Sequence, residues 1–525
     1  MTPRSNNMAA PRSNTATTTT SMQRRDRLSE LPDETLARVL YHLGSVDATR
    51  TSALSRRWGN IHATVPVVDL VDPKKGERWG NVSTQKTCFD HQVTAAILGK
   101  DLPTRKFRLD AFHPPHDLRD QWFAIVSVSG LEEFNVKLRY WDHSRRNLCP
   151  FGTHPKASAD FDEEMRYAYT ATPPHIFRCD TLRRLLLTNW TLHVPAGSVS
   201  MPSLETLFLK RIMAKDGAVQ RLISGCPNLV DLTLEQCPSV TGLVVDSPRL
   251  DSFAMICCHH ASHVVLHAEH LRTLRYKGGL PGENFFSIPN CADILALTID
   301  ICESLLGKSA PAVIPITKVI TRCTNVTFLH LHLRPKMAFH SGAFTRALRH
   351  LPHLRQLALK GLVDDDETVR SVSTLLRNTP NLDVLSLFPL RPRRPKPDYL
   401  YMFDGSDDDD SQNGDEENNG RRGVKKDKSA LDDEDTYVHV PRILWETRVE
   451  CLQRLRKIKL LNYKGMPNER MLAKYLLSKA SALDQCSVTL PANKTTTEDR
   501  RRKLTKELSY WRANKRTRIS YKSHV

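Results

Sequence analysis

At 525 residues the chain is long enough for several domains and a large buried core, and its formal charge of +18 is unevenly spread. Its twelve cysteines are scattered without a CxxC pair, no signal-peptide pattern opens the chain, and no apolar run nears the roughly 20 residues that cross a bilayer. A disulfide scaffold and a helical membrane protein are excluded, and the expectation is a reduced, soluble, intracellular protein of the nucleus or cytoplasm. Residues 1–27 are rich in Ser, Thr and Asn with Arg24, Arg25 and Arg27, which predicts a disordered leader.

Behind Leu31-Pro32, the residues Leu36, Val39, Leu40 and Leu43 recur at helical spacing, and Pro32 suits the first turn of a helix. Asp47 is placed to cap a second helix carrying Ala48, Thr51, Leu54 and Trp58. So short a module cannot bury such apolar faces within itself, so a partner or the rest of the chain must cover them. Leu31-Pro32-Asp33-Glu34, the spaced Leu36, Val39, Leu40 and Leu43, and Arg50-Thr-Ser-Ala-Leu-Ser-Arg-Arg-Trp58 resemble an F-box, over residues 28–62. Members of that family dock through this module on the Skp-type adaptor of an SCF (cullin–RING) ubiquitin ligase, and the remaining chain selects the protein to be ubiquitinated. The resemblance implies an adaptor-binding role for Leu31, Pro32, Leu36, Val39, Leu40, Leu43, Leu54 and Trp58. Thr35 stands where a larger aliphatic is common, and Gly59 where a basic residue usually follows the Trp.

Over residues 105–390 the chain returns to Leu-x-x-Leu-x-Leu, as in Leu182/Leu185/Leu187, Leu204/Leu207/Leu209, Leu229/Leu232/Leu234 and Leu271/Leu274/Tyr276. Weaker copies are Leu250/Phe253/Met255 and Ile294/Leu297/Ile299, and Leu131/Phe134/Val136 is an early candidate. Val326/Leu329/Leu331, Leu354/Leu357/Leu359 and Leu382/Leu385/Leu387 follow. The spacing fits a leucine-rich repeat of about 20–29 residues, in which each unit is a short strand with a return segment and only stacking buries the core. Ala218–Gly225 and Val369–Asn378 are expected to return as helices. Residues between the inward leucines then line a concave face: Arg184, Thr206, Phe208, Asp231, Thr233, Thr273, Arg275, Phe328, His330, Gln356, Lys360 and Ser386. That mixture suits protein recognition better than a uniform phosphate surface. An ordinary solvated face is the alternative for any one of these residues.

Residues 391–436 are rich in Pro, Asp, Asn and Gly, and are expected to form a disordered insertion. Residues 440–490 regain order. Leu455, Ile458 and Leu460 continue the inward pattern of Leu382, Leu385 and Leu387, and a helix carries Met471, Leu472, Tyr475 and Leu476 on one face. Another strand closes at Cys486–Leu490. This order resembles the FBD domain that follows leucine-rich repeats in many plant F-box proteins. Residues 491–525 hold eleven Lys/Arg against three Asp/Glu. Arg500, Arg501, Arg502 and Lys503 form one basic cluster and Lys515, Arg516 and Arg518 another, around a helix with Leu504, Leu508 and Trp511 on one face. A nuclear-import signal, a contact with nucleic acid or an acidic membrane, and a solvated tail all remain open for this segment. Aromatic residues do not interleave with the charges as an RNA-stacking platform requires.

No catalytic constellation emerges. Gly307-Lys308-Ser309 ends like a phosphate-binding loop, but Cys302 stands where its first Gly belongs. Cys257-Cys258-His259-His260 with His263 is a metal-like cluster, yet adjacent ligands point different ways and the usual spacing is missing. No metal, cofactor or membrane partner is expected. The predicted fold is α/β, with an N-terminal helical F-box, a leucine-rich-repeat solenoid and an FBD-like strand–helix–strand cap. The expected function is a non-catalytic substrate receptor of an SCF ligase that binds the adaptor, through it cullin, and a target protein. The alternatives are a repeat scaffold with a degenerate F-box, or a nuclear regulator acting through the basic segment.

Overall fold

The computed structural model describes residues 28, 30–72, 82–127, 130–140, 149–151, 169–195, 197, 199–215, 217–305, 310–336, 342–390, 438–446, 448–491 and 498–522. The leader 1–27, the insertion 391–436 and the Gly307-Lys308-Ser309 triplet lie outside these residues. Helices α1 (Asp33–Tyr41), α2 (Ser45–Ser52) and α3 (Arg56–Thr64) open the fold. Leu36, Leu40, Ala48, Trp58 and Ile61 pack with Val65 and Val67 into a core of their own. The sequence pattern joined Ala48 to Trp58 in one helix; the structure parts it at Ser55, whose Oγ accepts the Trp58 N–H at 3.4 Å. Asp47 does not cap α2, which starts two residues earlier behind Gly44; Asp47 instead pairs with Arg50, one turn on, at 3.0 Å. Arg57 ties α3 back to α1 by donating to Asp33 at 2.7 Å and to the Leu31 carbonyl.

The rest is a solenoid. One parallel sheet of 15 strands follows chain order through Val67–Val71, Lys106–Phe112, Glu133–Arg139, Arg184–Leu192, Thr206–Ala214, Asp231–Glu235, Ser252–Ile256 and Thr273–Gly278. It continues through Ala296–Ile301, Phe328–Lys336, Gln356–Leu362, Val384–Pro389, Lys457–Leu460, Gln485–Thr489 and Arg518–Lys522. The register puts one inward residue of each of the first fourteen strands in a single row: Val68, Phe107, Phe134, Leu185, Leu207, Leu232 and Phe253, then Leu274, Leu297, Leu329, Leu357, Leu385, Ile458 and Cys486. None of these fourteen is more than 1% exposed. With each buried Leu or Phe contributing roughly 1.5–3 kcal/mol, this row is the chief reason the repeats stack.

Repeat length decides the return path. Repeats opening at Leu229, Leu250 and Leu271 are 21 residues apart, and here the chain returns as strands Gly242–Asp246, His263–His267 and Phe286–Ser287, which form a second, three-stranded sheet. Longer repeats have room for helices such as Ala218–Ser224, Ile314–Arg322 and Asp366–Arg377. Three residues past the last inward leucine, a polar side chain turns in to serve the neighbouring strand. There Cys237 Sγ lies 3.4 Å from the Leu209 carbonyl, Cys258 Sγ 3.6 Å from that of Leu234, and Trp190 Nε1 donates to Val136 at 3.0 Å. Among the described residues no helix is long and apolar enough to cross a membrane.

At the C-terminal end Leu385 pairs with Ile458 and Leu387 with Leu460, so the last module continues the sheet. Helix Pro467–Lys479 buries Met471, Leu472, Tyr475 and Leu476, and Tyr475 Oη lies 2.8 Å from Ser373 Oγ of the preceding return helix. The solenoid does not close at Cys486–Leu490, as the pattern predicted. Strand Arg518–Lys522 pairs with Gln485–Thr489, and helix Glu498–Tyr510 packs beside it with Leu504, Leu508 and Trp511 buried. Residues 498–522 are therefore part of the folded end rather than a tail. Two contacts hold that helix. Arg470 grips Glu507 with two donors, at 2.6 and 3.1 Å, and Leu504 sits on Gly465, where φ is +73° and a Cβ would stand 2.7 Å from its Cδ2. Gly465 is thus required twice, for its backbone angle and for the space.

Candidate interaction surfaces

The helical module divides the sequence-predicted adaptor residues into two groups. Leu36, Leu40 and Trp58 are buried in its core, because the break at Ser55 turns α3 back over α1. Leu31 and Leu43 are half-buried, whereas Pro32, Val39 and Leu54 are exposed, with Val39 at 42% and Leu54 at 69%. Leu28 and Val46 are also exposed large apolar side chains, and the sequence reading singled out neither for this role. The first group makes the module's shape, and the second is what a partner would touch.

The outward face of the sheet carries the predicted recognition residues in rows. Arg184, Thr206, Asp231, Thr273, Phe328 and Gln356 share one row. Phe208, Thr233, Arg275, His330 and Ser386 share the next, and Lys360 lies in a third. Arg184, Asp231, Arg275 and Gln356 are exposed; Phe208, Phe328, His330 and Lys360 are half-buried, and His330 stacks on Phe388 with ring centroids 5.7 Å apart. Burial lowers the His330 pKa to about 4, against a smaller upward pull from Asp300, so its ring is neutral near pH 7.

Two charge networks on this face were not legible in the sequence, because their members come from different repeats. Arg108 donates to both Glu133 oxygens at 2.7 and 3.0 Å and to Asp69 at 3.3 Å. Burial raises the Glu133 pKa, but the paired guanidinium outweighs it and leaves the carboxyl below its ordinary value. Further along, Asp300 lies 2.9 Å from His332 Nδ1 and 4.0 Å from Lys277. Burial pushes Asp300 up, yet His332, Lys277 and Arg334 together hold it at about 2. These groups face one another across neighbouring strands, and the exposed Arg184, Asp231, Arg275 and Gln356 are the polar groups of these rows most open to a partner.

Of the basic candidates, Arg501, Arg502 and Lys503 are exposed on helix Glu498–Tyr510, and Lys515, Arg516 and Arg518 are exposed around the final strand. Arg501 also lies over the Tyr521 ring, 5.6 Å from its centroid. The Arg500 side chain falls outside the described residues. The cysteine–histidine run divides as well. Cys258 turns into the main core, while Cys257 and His259 meet Cys149 and Cys302, two residues that local spacing could not associate with them.

Comparison with known proteins adds a family. Residues 160–286 match the family described as FBD-associated F-box protein At5g56370, LRR repeats. The F-box/FBD/LRR-repeat protein At2g26030 of Arabidopsis thaliana is 28% identical over 40% of this chain and 41% of its own length. The F-box/FBD/LRR-repeat protein At1g51370 of the same plant is 27% identical over 48% of this chain and 50% of its own. The FBD-associated F-box protein At4g10400, also of Arabidopsis thaliana, is 25% identical over 66% of this chain and 80% of its own. The chain spans about half the length of several of the curated relatives it matches.

Proposed function

Because this chain belongs to the F-box/FBD/LRR-repeat family, we propose that it is the substrate-recognition subunit of an SCF-type ubiquitin ligase. The helical module would dock on a Skp-type adaptor and through it reach cullin, and the outward face of the solenoid would bind the protein to be ubiquitinated. One observation carries this reading. A helical module that already has its own core still leaves Leu28, Val39, Val46 and Leu54 uncovered, as a docking face requires. The chain itself would supply no chemistry. Holding a target beside the ligase raises its effective concentration, and other subunits perform the transfer. The two exposed basic clusters would direct the protein to the nucleus.

The test is affinity purification of the full chain and of a chain lacking residues 28–62, both under proteasome inhibition. The adaptor and cullin should co-purify with the full chain alone, while substrates should be captured by both. Absence of adaptor from the full-chain sample would refute the ligase role and leave a repeat scaffold.

A further inference from the structure

We propose that Cys149, Cys257, His259 and Cys302 form a structural zinc site that pins residues 149–151 onto the middle of the solenoid. The four ligand atoms all lie within 4.8 Å of one another, and Cys257 Sγ is 3.8 Å from Cys302 Sγ. A tetrahedral ion with Zn–S bonds of about 2.3 Å sets its sulfurs roughly 3.8 Å apart, so the thiol pair already has the spacing of two zinc ligands. Three sulfurs and one imidazole nitrogen, closed from solvent, are the donor set of structural zinc rather than of magnesium or calcium.

The fold builds this site from three separate segments. Cys257 follows strand Ser252–Ile256 with φ at +54°, and Cys302 follows strand Ala296–Ile301. Strand Thr273–Gly278 runs between them, and its last carbonyls fix both cysteines: Cys257 N–H donates to Lys277 at 2.6 Å and Cys302 N–H to Gly278 at 2.7 Å. Cys258 is held inward by its contact with Leu234, so Cys257 is left to face outward. In the sheet, the strands at Arg184, Thr206 and Asp231 separate strand Glu133–Arg139, which precedes Cys149 in sequence, from the strand before Cys257. At about 4.8 Å per strand that separation is on the order of 20 Å. Phe151 then lies over Gly279, where a Cβ would stand 3.1 Å from its ring, and meets the His259 ring edge-on at 5.2 Å.

The cluster is unexplained as ordinary packing. Cys149, Cys257 and Cys302 are each 2% exposed and form, with Ile256, a small cluster apart from the main core. Neither ring nitrogen of His259 has a hydrogen-bond partner although both are buried, which is costly unless one of them binds something. Binding of a divalent ion balances: three thiols lose their protons to solvent, three Zn–S bonds form with one Zn–N bond to neutral His259, and the centre carries one net negative charge.

Zinc and cobalt, each alone, are the probes. The full-length chain, reconstituted with zinc and dialysed, should retain one equivalent by mass spectrometry of the metal. With cobalt it should show thiolate-to-metal charge transfer and the intense visible bands of a tetrahedral centre. Cys257→Ser with Cys302→Ser should lose the metal, whereas His259→Cys, which keeps four ligands, should retain it. The cobalt spectrum of the unaltered chain decides the matter even if the double variant fails to fold. Less than a tenth of an equivalent of zinc in the unaltered chain would overturn the proposal, as would a weak octahedral cobalt spectrum. So would a Cys257–Cys302 disulfide in zinc-reconstituted protein, or full metal retention by the double serine variant.

Discussion

Val39→Ala combined with Leu54→Ala is the sharpest probe of the proposed adaptor face, because both side chains stand outside the module's own core. Complete burial of a Val or Leu side chain is worth roughly 1.5–3 kcal/mol. Val39 is 42% and Leu54 69% exposed, so an adaptor could newly cover less than half of one side chain and about two thirds of the other. The pair should therefore contribute about 2–3 kcal/mol, or roughly 30- to 150-fold in Kd. Calorimetric titration of adaptor into the full chain should show that loss with a melting temperature within a degree or two of the parent. Trp58→Ala is the contrasting variant. It is 8% exposed inside the module core, so its truncation should cost about 3–5 kcal/mol of local stability and abolish binding by unfolding. An unchanged Kd for Val39→Ala/Leu54→Ala, beside a parent that binds, would remove the exposed face from the interface and refute the reasoning.

Three further outcomes are expected. Truncation after Leu490 removes helix Glu498–Tyr510 and strand Arg518–Lys522, uncovering the surface against Leu504, Leu508 and Trp511; the shortened chain should bind a hydrophobic dye and aggregate, and a monomeric, dye-silent product would show that the end is dispensable. His330 is held at about 4 when folded against 6.5 when unfolded, so between those values the unfolded chain binds more protons and stability falls as the pH is lowered from about 6.5 to 4. His330→Gln should flatten that slope in melting curves, and an unaltered slope would assign the acid sensitivity elsewhere. A flexible Gly/Ser insert between Thr64 and Val67 should leave adaptor and target binding intact yet slow ubiquitin transfer to the target in a reconstituted ligase; an unchanged rate would show that the rigid join has no role in transfer.

What could be read from the sequence was whatever is local to one repeat. Leu-x-x-Leu-x-Leu states its own strand, so the inward rows from Leu131 to Leu387 were legible, as was the continuation at Leu455, Ile458 and Leu460. Strand Arg518–Lys522 was missed because Ile519 and Tyr521 are its only apolar alternation, and the surrounding charge concealed it. Strand Val67–Val71 carries Val-Val-Asp-Leu-Val, too short a run to separate a strand from the end of α3. In the helical module the residue types were recognisable, but which of them face inward depended on the break that Ser55 imposes. The Cys149, Cys257, His259 and Cys302 cluster was beyond local reading altogether, since only parallel register brings residues 45 apart in sequence to 3.8 Å.

The same register argument joins the helical module to the repeats. Ser45 of α2 accepts the Asp69 N–H of the first strand at 2.6 Å, and Lys106 of the second strand lies 4.2 Å from the Tyr41 ring centroid at the end of α1. Val65 and Val67 complete the core of the module, while Val68 and Leu70, on the same strand as Val67, belong to the core of the solenoid. Strand Val67–Val71 therefore serves two cores at once, and a swivel between them would have to strip apolar surface from both. For a receptor that acts by proximity, the position of the bound target relative to the adaptor would be set by this shared strand, through 15 strands in fixed register, rather than by a linker.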